Sequence, residues 1–215
     1  MGEPLNNLDA VIKSIAILTH RNPGVNNFSA NKITVSTCGL VPEMYELCRR
    51  TRAQVALSLH ATTDKIRDQI VPINRKYPIS ELVLCLNRCF PKKGTAAFAE
   101  GGRNDHTRYV LIEYLMLKGV NDSEADARRL LSLLEDCEAK VNLIEFNPHA
   151  GTIFEASPPE RVRGFRSVLI DGGLVCTIRT SRGDDEMAAC GQLGNDLGAR
   201  GERALAARKR RGIAV

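Results

Sequence analysis

The chain has 215 residues, 43% of them apolar, and a net charge of +5. That length supplies one sizeable core, and no stretch approaches the roughly 18 uninterrupted apolar residues of a membrane helix, the best candidate at 109–117 being broken by Glu113. Arg200, Arg203, Arg208, Lys209, Arg210 and Arg211 against Glu202 account for the whole excess charge, so residues 1–198 are neutral and a phosphate grip rests on this tail or on local patches. Seven cysteines, an odd number without regular spacing, describe no disulfide scaffold and favour a reducing compartment.

In chain order, apolar periodicity predicts a helix at about 8–20, a strand at 32–38 and a helix at about 42–50. A second strand at 55–60 precedes a helix over 79–90. Strand 109–117, helix 123–135, strand 141–146, helix 160–171 and strand 174–178 follow, and a last helix is expected from Gln192 into the basic tail. Strands alternating with helices of this length make βαβ units and a parallel sheet. Five such strands with no dinucleotide glycine fingerprint point to an α/β fold, an open, partial (β/α) barrel rather than a Rossmann sheet. Residues 1–195 would form the barrel and 196–215 the tail.

In a barrel the chemistry gathers at the C-terminal strand ends. Those ends are polar or reactive here: Ser36, Thr37 and Cys38; Ser58 and His60; Asn147 and His149; and Arg179 onward. The irregular segment 91–107 links a helix to the next strand and is therefore expected on the opposite, structural edge.

Two further motifs could carry chemistry. Gly2-Glu3-Pro4 precedes a helix; alone it reads first as a plain turn, and second as a close backbone approach with a carboxylate for an ammonium group. Cys190, in Ala188-Ala-Cys-Gly-Gln-Leu193 after Arg182-Gly-Asp-Asp185, reads as a small buried side chain or as a nucleophile favoured by nearby positive charge.

Taken in order, Gly-Glu-Pro, Ser58-Leu-His60, Phe146-Asn-Pro148 and Ala-Cys-Gly-Gln-Leu resemble the RlmN and Cfr RNA adenine methyltransferases of the radical SAM superfamily. The likeness runs through nearly all of residues 1–195. It includes Val71-Pro-Ile-Asn-Arg-Lys-Tyr-Pro78, Glu113-Tyr-Leu-Met-Leu117, Gly119-Val-Asn-Asp122 and Val141-Asn-Leu-Ile144. Arg182-Gly-Asp-Asp185 looks like the RlmN branch, which acts on adenine C2, rather than the C8-specific Cfr branch; Glu186-Met187 departs from the expected Ile-Asp.

The resemblance implies a radical SAM barrel that uses S-adenosylmethionine and a 4Fe–4S cluster. Gly2 and Glu3 would bind the methionine amino group, Ser36, Ser58, Leu59, His60 and Asn147 would complete that pocket, and Cys190 would become S-methylcysteine. Carbon 2 of adenine is electron-poor, so a carbon radical on that methyl, rather than an ordinary nucleophilic attack, would form the new bond. The implied partners are RNA (23S ribosomal RNA, with transfer RNA as a second substrate) and a reductant such as flavodoxin or ferredoxin. A cytoplasmic monomer is implied, with an organelle as the alternative location if a targeting segment stands upstream.

The cluster would need a C-x3-C-x2-C triplet. Cys85-Leu-Asn-Arg-Cys89 has the first spacing, but Lys92 stands at the third position and both cysteines share a helix face, which reads as core packing. The triplet and the barrel's first strand are therefore expected upstream of Gly2, the chain being read as a piece of a longer protein. Two other readings stay open: a non-catalytic remnant that binds RNA or a partner, and the C8-specific methyltransferase.

Overall fold

The computed structural model describes residues 2–20, 28–95, 98, 108–148 and 152–179. Five strands, β1 (Thr34–Thr37), β2 (Gln54–Ser58), β3 (Val110–Met116), β4 (Ala139–Glu145) and β5 (Val175–Arg179), form one sheet. All neighbours pair in parallel, and the spatial order is the sequence order. The helices among the described residues are α1 (Leu8–Thr19), α2 (Val41–Arg50), α3 (Asp64–Ile70), α4 (Ile79–Cys89), α5 (Glu124–Leu133) and α6 (Pro159–Asp171).

That order explains the single core. Parallel crossovers are right-handed almost without exception, so strands added always on the same side carry their helices to one face of the sheet. A doubly wound sheet would reverse direction and cover both. Burial agrees: in β3 the residues Val110, Ile112, Tyr114 and Met116 are buried, whereas Leu111, Glu113 and Leu115 between them are only half-buried. β4 repeats this with Ala139, Val141 and Leu143 inside and Lys140, Asn142 and Ile144 less covered.

On the covered face, Leu57, Ile112 and Tyr114 meet Met44 and Leu47 of α2, Leu82 and Leu86 of α4, Leu130 of α5 and Phe165 of α6 in one apolar cluster. The Tyr114 and Phe165 rings pack at 5.3 Å between centroids. Each large side chain so buried contributes about 1.5–3 kcal/mol relative to exposure. This is an open sheet with a barrel's winding, as the strand count implied.

Local sequence sets the ends. Ser123 caps α5 by accepting from the Asp126 amide while the Asp126 carboxylate accepts from the Ser123 amide. After β1 the chain turns at Gly39, whose φ of +102° is costly for any side chain; a Cβ there would stand 2.6 Å from Leu82 Cδ2. Segment 91–107 begins on the edge opposite the strand C-termini, where Pro91 bridges Cys137 and the Lys92 amide donates to the Asp136 carbonyl just before β4. That much matches its expected place; residues 99–107 lie outside the described residues, as do Cys190 and the whole basic tail.

Candidate functional site at the strand C-termini

The structure brings the N-terminal tripeptide and the end of β1 together. Glu3 Oε1 accepts from the Leu5 amide at 3.0 Å, capping the short 3-10 turn Pro4–Asn7. Its Oε2 accepts from the Cys38 amide at 2.8 Å and from Cys38 Sγ at 3.0 Å. Three of roughly four acceptor positions are thus used inside the chain, which leaves one for a ligand donor. Burial, and next the Glu3 hydrogen bond, push the Cys38 thiol up to about 12, so this half-buried cysteine stays protonated and unreactive. Gly2 beside it is exposed, with open space around its Cα.

One strand over, Ser58-Leu59-His60 leaves the end of β2. The Leu59 amide donates to the Glu113 carbonyl of β3 at 3.1 Å, prolonging the ladder past the strand. His60 then takes φ +59°, the left-handed region that non-glycine residues seldom adopt and that costs of order 1–3 kcal/mol. Two bonds hold it there: His60 Nδ1 accepts from the Leu115 amide at 3.2 Å, and the His60 carbonyl accepts from Asn121 Nδ2 at 2.7 Å. Burial, and next the positive charge of Arg67, lower its pKa to about 4. The ring is therefore neutral with its proton on Nε2, a fixed hydrogen-bond donor.

Asn121 is almost fully buried and also bonds the Leu115 carbonyl at 2.6 Å and the Leu117 amide at 2.8 Å, while its own carbonyl accepts from Tyr114 Oη. It clamps the end of β3 to the turn after β2.

Beneath both β1 and β2 lies Arg67 of α3, fully buried. Its Nε donates to the Leu59 carbonyl at 3.0 Å; one terminal nitrogen donates to Cys38 O at 2.7 Å and Ser58 O at 3.2 Å, the other to Asn74 Oδ1 at 3.0 Å. Asn74 Nδ2 in turn donates to Asp64 and Asp68. Burial lowers the guanidinium to about 10, still well above neutral pH.

The sequence-predicted residues therefore divide. Gly2, Glu3, Ser36, Ser58, Leu59 and His60 stand at adjoining strand ends; half-buried Asn147 lies two residues beyond β4 on the same edge. His149 and Cys190 lie outside the described residues. Arg67, Glu113 and Asn121 carry much of the geometry without having been singled out, although Asn74, Glu113 and Asn121 all fall in the segments that resemble the family.

No protein-family model matches the chain. It is 47% identical over 193 residues to the dual-specificity RNA methyltransferase RlmN of Methylorubrum extorquens, covering 90% of this chain and 42% of that protein. A Phenylobacterium zucineum protein of the same description is 47% identical over 210 residues, 96% of this chain and 51% of its own length. The one from Syntrophotalea carbinolica is 42% identical over 197 residues, 92% and 49%. Among solved structures, a radical SAM methyltransferase from Sphaerobacter thermophilus superposes with a TM-score of 0.76 at 41% identity, over 89% of this chain and 52% of that one. A domain of a pyruvate-formate lyase-activating enzyme from Bacteroides vulgatus shares the fold, with a TM-score of 0.58 at 16% identity over 83% of this chain and 95% of that one. The chain spans about half the length of the curated relatives it matches.

Proposed function

The chain belongs to the RlmN family of radical SAM methyltransferases, and on that premise we propose that it acts in transfer of a methyl group from S-adenosylmethionine to carbon 2 of an adenine in RNA. The observation that carries this reading is the strand-end cradle: Glu3, Ser36, Ser58, Leu59 and His60 converge on one edge of a singly wound parallel sheet, held from beneath by Arg67. Such an edge is where barrel enzymes bind and react their substrates.

Each residue has a role its surroundings support. The last acceptor position of Glu3 suits the ammonium of the methionine moiety, and the exposed Gly2 lets ligand approach the backbone closely. Ser36 and Ser58 offer hydroxyls, His60 a fixed Nε2–H donor, and Asn147 an amide further along the edge. Cys190 Sγ would attack the sulfonium methyl carbon as a thiolate; the new C–S bond forms as the old one breaks, S-adenosylhomocysteine leaves, and the thiol proton passes to solvent. Ribosomal RNA, with transfer RNA as a second substrate, accords with relatives described as dual-specificity RNA methyltransferases, and Arg182-Gly-Asp-Asp185 favours C2 over C8.

The described residues do not fit the iron–sulfur cluster that the family resemblance implies. Among them no three Cys, His, Asp or Glu side chains stand where they could hold a metal, and Cys85 is buried in the apolar core on α4.

Equilibrium dialysis of the chain against labelled S-adenosylmethionine tests the donor assignment. Saturable binding that S-adenosylhomocysteine displaces is expected; no retention above a denatured control overturns it.

A further inference from the structure

Between β2 and α4 the chain builds a lobe at the strand C-termini: α3, a 3-10 turn over Pro72–Arg75, and Pro78 at the cap of α4. Residues 61–78 carry four cations, Lys65, Arg67, Arg75 and Lys76, against two acids, Asp64 and Asp68. Residues 1–198 as a whole have no net charge, so this is a local surplus.

The lobe's hydrogen bonds sort those charges by side. Arg67 is fully buried and turned toward the strand ends. Asp64 and Asp68 each accept from Asn74 Nδ2, at 2.9 and 2.7 Å, and Asp64 Oδ1 also accepts from the Ile79 amide at 2.9 Å. Lys65, Arg75 and Lys76 are left exposed on the outside. Other exposed cations meet acids: Arg49 pairs with Glu46, Arg50 with Asp9, Lys118 with Glu155 and Arg128 with Glu124. Among the described residues none of the three lobe cations forms an ion pair; Lys76 instead stands over the Tyr77 ring, 5.0 Å from its centroid. The backbone beneath them is fixed, because Arg67 joins Asn74 to the ends of β1 and β2. The three cations therefore ride at a set offset from Ser58-Leu59-His60, and little backbone ordering is needed when they meet a partner.

We propose that Lys65, Arg75 and Lys76 form a docking surface for the phosphodiester backbone of RNA beside the strand-end cradle; this rests on the RNA reading above. Exposed cations on a rigid support suit a polyanion, which gains from each charge it meets without needing an enclosed pocket. The planar Arg75 guanidinium can hold one phosphate by two bonds, while Lys65 and Lys76 act as point charges. Contacts of this kind set where the RNA lies and leave the choice of base to the cradle.

The test titrates a short RNA hairpin with an unpaired adenine in its loop into the chain at a series of salt concentrations, followed by fluorescence anisotropy. Lys65→Gln/Arg75→Gln/Lys76→Gln is compared with Lys13→Gln/Lys32→Gln/Arg163→Gln, which removes the same charge from other exposed positions. The basic tail is kept in every protein, and far-UV circular dichroism is the fold control. Each phosphate contact contributes about 0.7–0.9 to the slope of log affinity against log salt, so the lobe variant should flatten it by about two. The control variant should keep most of the wild-type slope. A second readout needs no variant: in lysine acylation read by peptide mass spectrometry, bound RNA should protect Lys65 and Lys76 but not Lys13. A slope unchanged in the lobe variant, a slope flattened equally in both variants, or equal protection of the three lysines overturns this surface alone. A wild-type chain that does not bind the hairpin at low salt overturns the RNA reading, and this surface with it.

Discussion

Arg67 is the buried charge on which the strand-end geometry depends, and its replacement should be costly. In Arg67→Met the volume is largely kept, but the carbonyls of Cys38, Ser58 and Leu59 and Oδ1 of Asn74 all lose their donor. A buried acceptor left unsatisfied costs roughly 1–3 kcal/mol. The four share one solvent-poor site and can relax together, so the losses do not add in full. Asp64 and Asp68, bonded through Asn74, also lose the cation that offset them. Breaking a buried charged network of this kind costs about 3–5 kcal/mol, a large share of the 5–15 kcal/mol of a typical domain.

Arg67→Lys separates charge from geometry. An ammonium carries three donors at a point and lacks the planar fork that reaches β1 and β2 at once, so an intermediate loss of about 1–3 kcal/mol is expected. Urea unfolding followed by circular dichroism at neutral pH gives both values from the midpoint and slope. An Arg67→Met loss below about 1 kcal/mol would refute the reasoning, because it would mean the strand ends find other donors at no cost.

His60 gives a pH signature. Its folded pKa lies near 4 against an ordinary 6.5, so the unfolded chain takes up a proton that the folded chain refuses. Its contribution is full above pH 6.5 and is lost as pH falls toward 4, by up to about 3 kcal/mol. His60→Asn, which tolerates the left-handed backbone, should flatten the fall in urea midpoint between neutral pH and pH 5; an unchanged fall would show that other groups cause it. Peptide mass spectrometry of the chain purified from expressing cells is expected to find S-methylcysteine at position 190 and at no other cysteine. The thiols of Cys38 and Cys137 are pushed up to about 12 and that of Cys176 to about 11, chiefly by burial. A methyl on one of these, or none on Cys190, refutes the carrier assignment.

Much of the architecture was legible because it rests on periodicity. The five strands and the helices at 8–20, 42–50, 79–90, 123–135 and 160–171 fall within a residue or two of their expected bounds, since each presents an apolar row to one core. Helix α3, Asp-Lys-Ile-Arg-Asp-Gln-Ile, was not legible. Its one buried residue is Arg67, and a period built on apolar residues cannot register a helix whose inward side chain is charged. Glu113 did leave a signal: it is the lone charge in Val-Leu-Ile-Glu-Tyr-Leu-Met, where a strand with apolar residues on both faces has no packing use for a carboxylate. The same residue that broke the apolar run in the search for a membrane span is the one that reaches Ser36 across the sheet.

The anchors at the strand ends show why polar groups, rather than more leucines, were placed there. Apolar packing holds β2 to the helices but is indifferent to small slides of one strand end against the next. A binding site needs those ends fixed to a fraction of an ångström. Arg67 fixes Cys38 of the β1 end to Ser58 and Leu59 of the β2 end; Asn121 fixes His60, just past β2, to Leu115 of β3. Each bond is directional and at least partly buried, so a misplaced strand end would leave an acceptor unpaired, which is a steeper penalty than lost van der Waals contact. The strained backbone at His60 follows from the same demand, because only that turn brings its imidazole under the Leu115 amide while its carbonyl still meets Asn121. Rigidity at this edge is thus built from two buried polar side chains joined through a three-residue segment, Ser58-Leu59-His60, and that segment is the one predicted to touch the ligand.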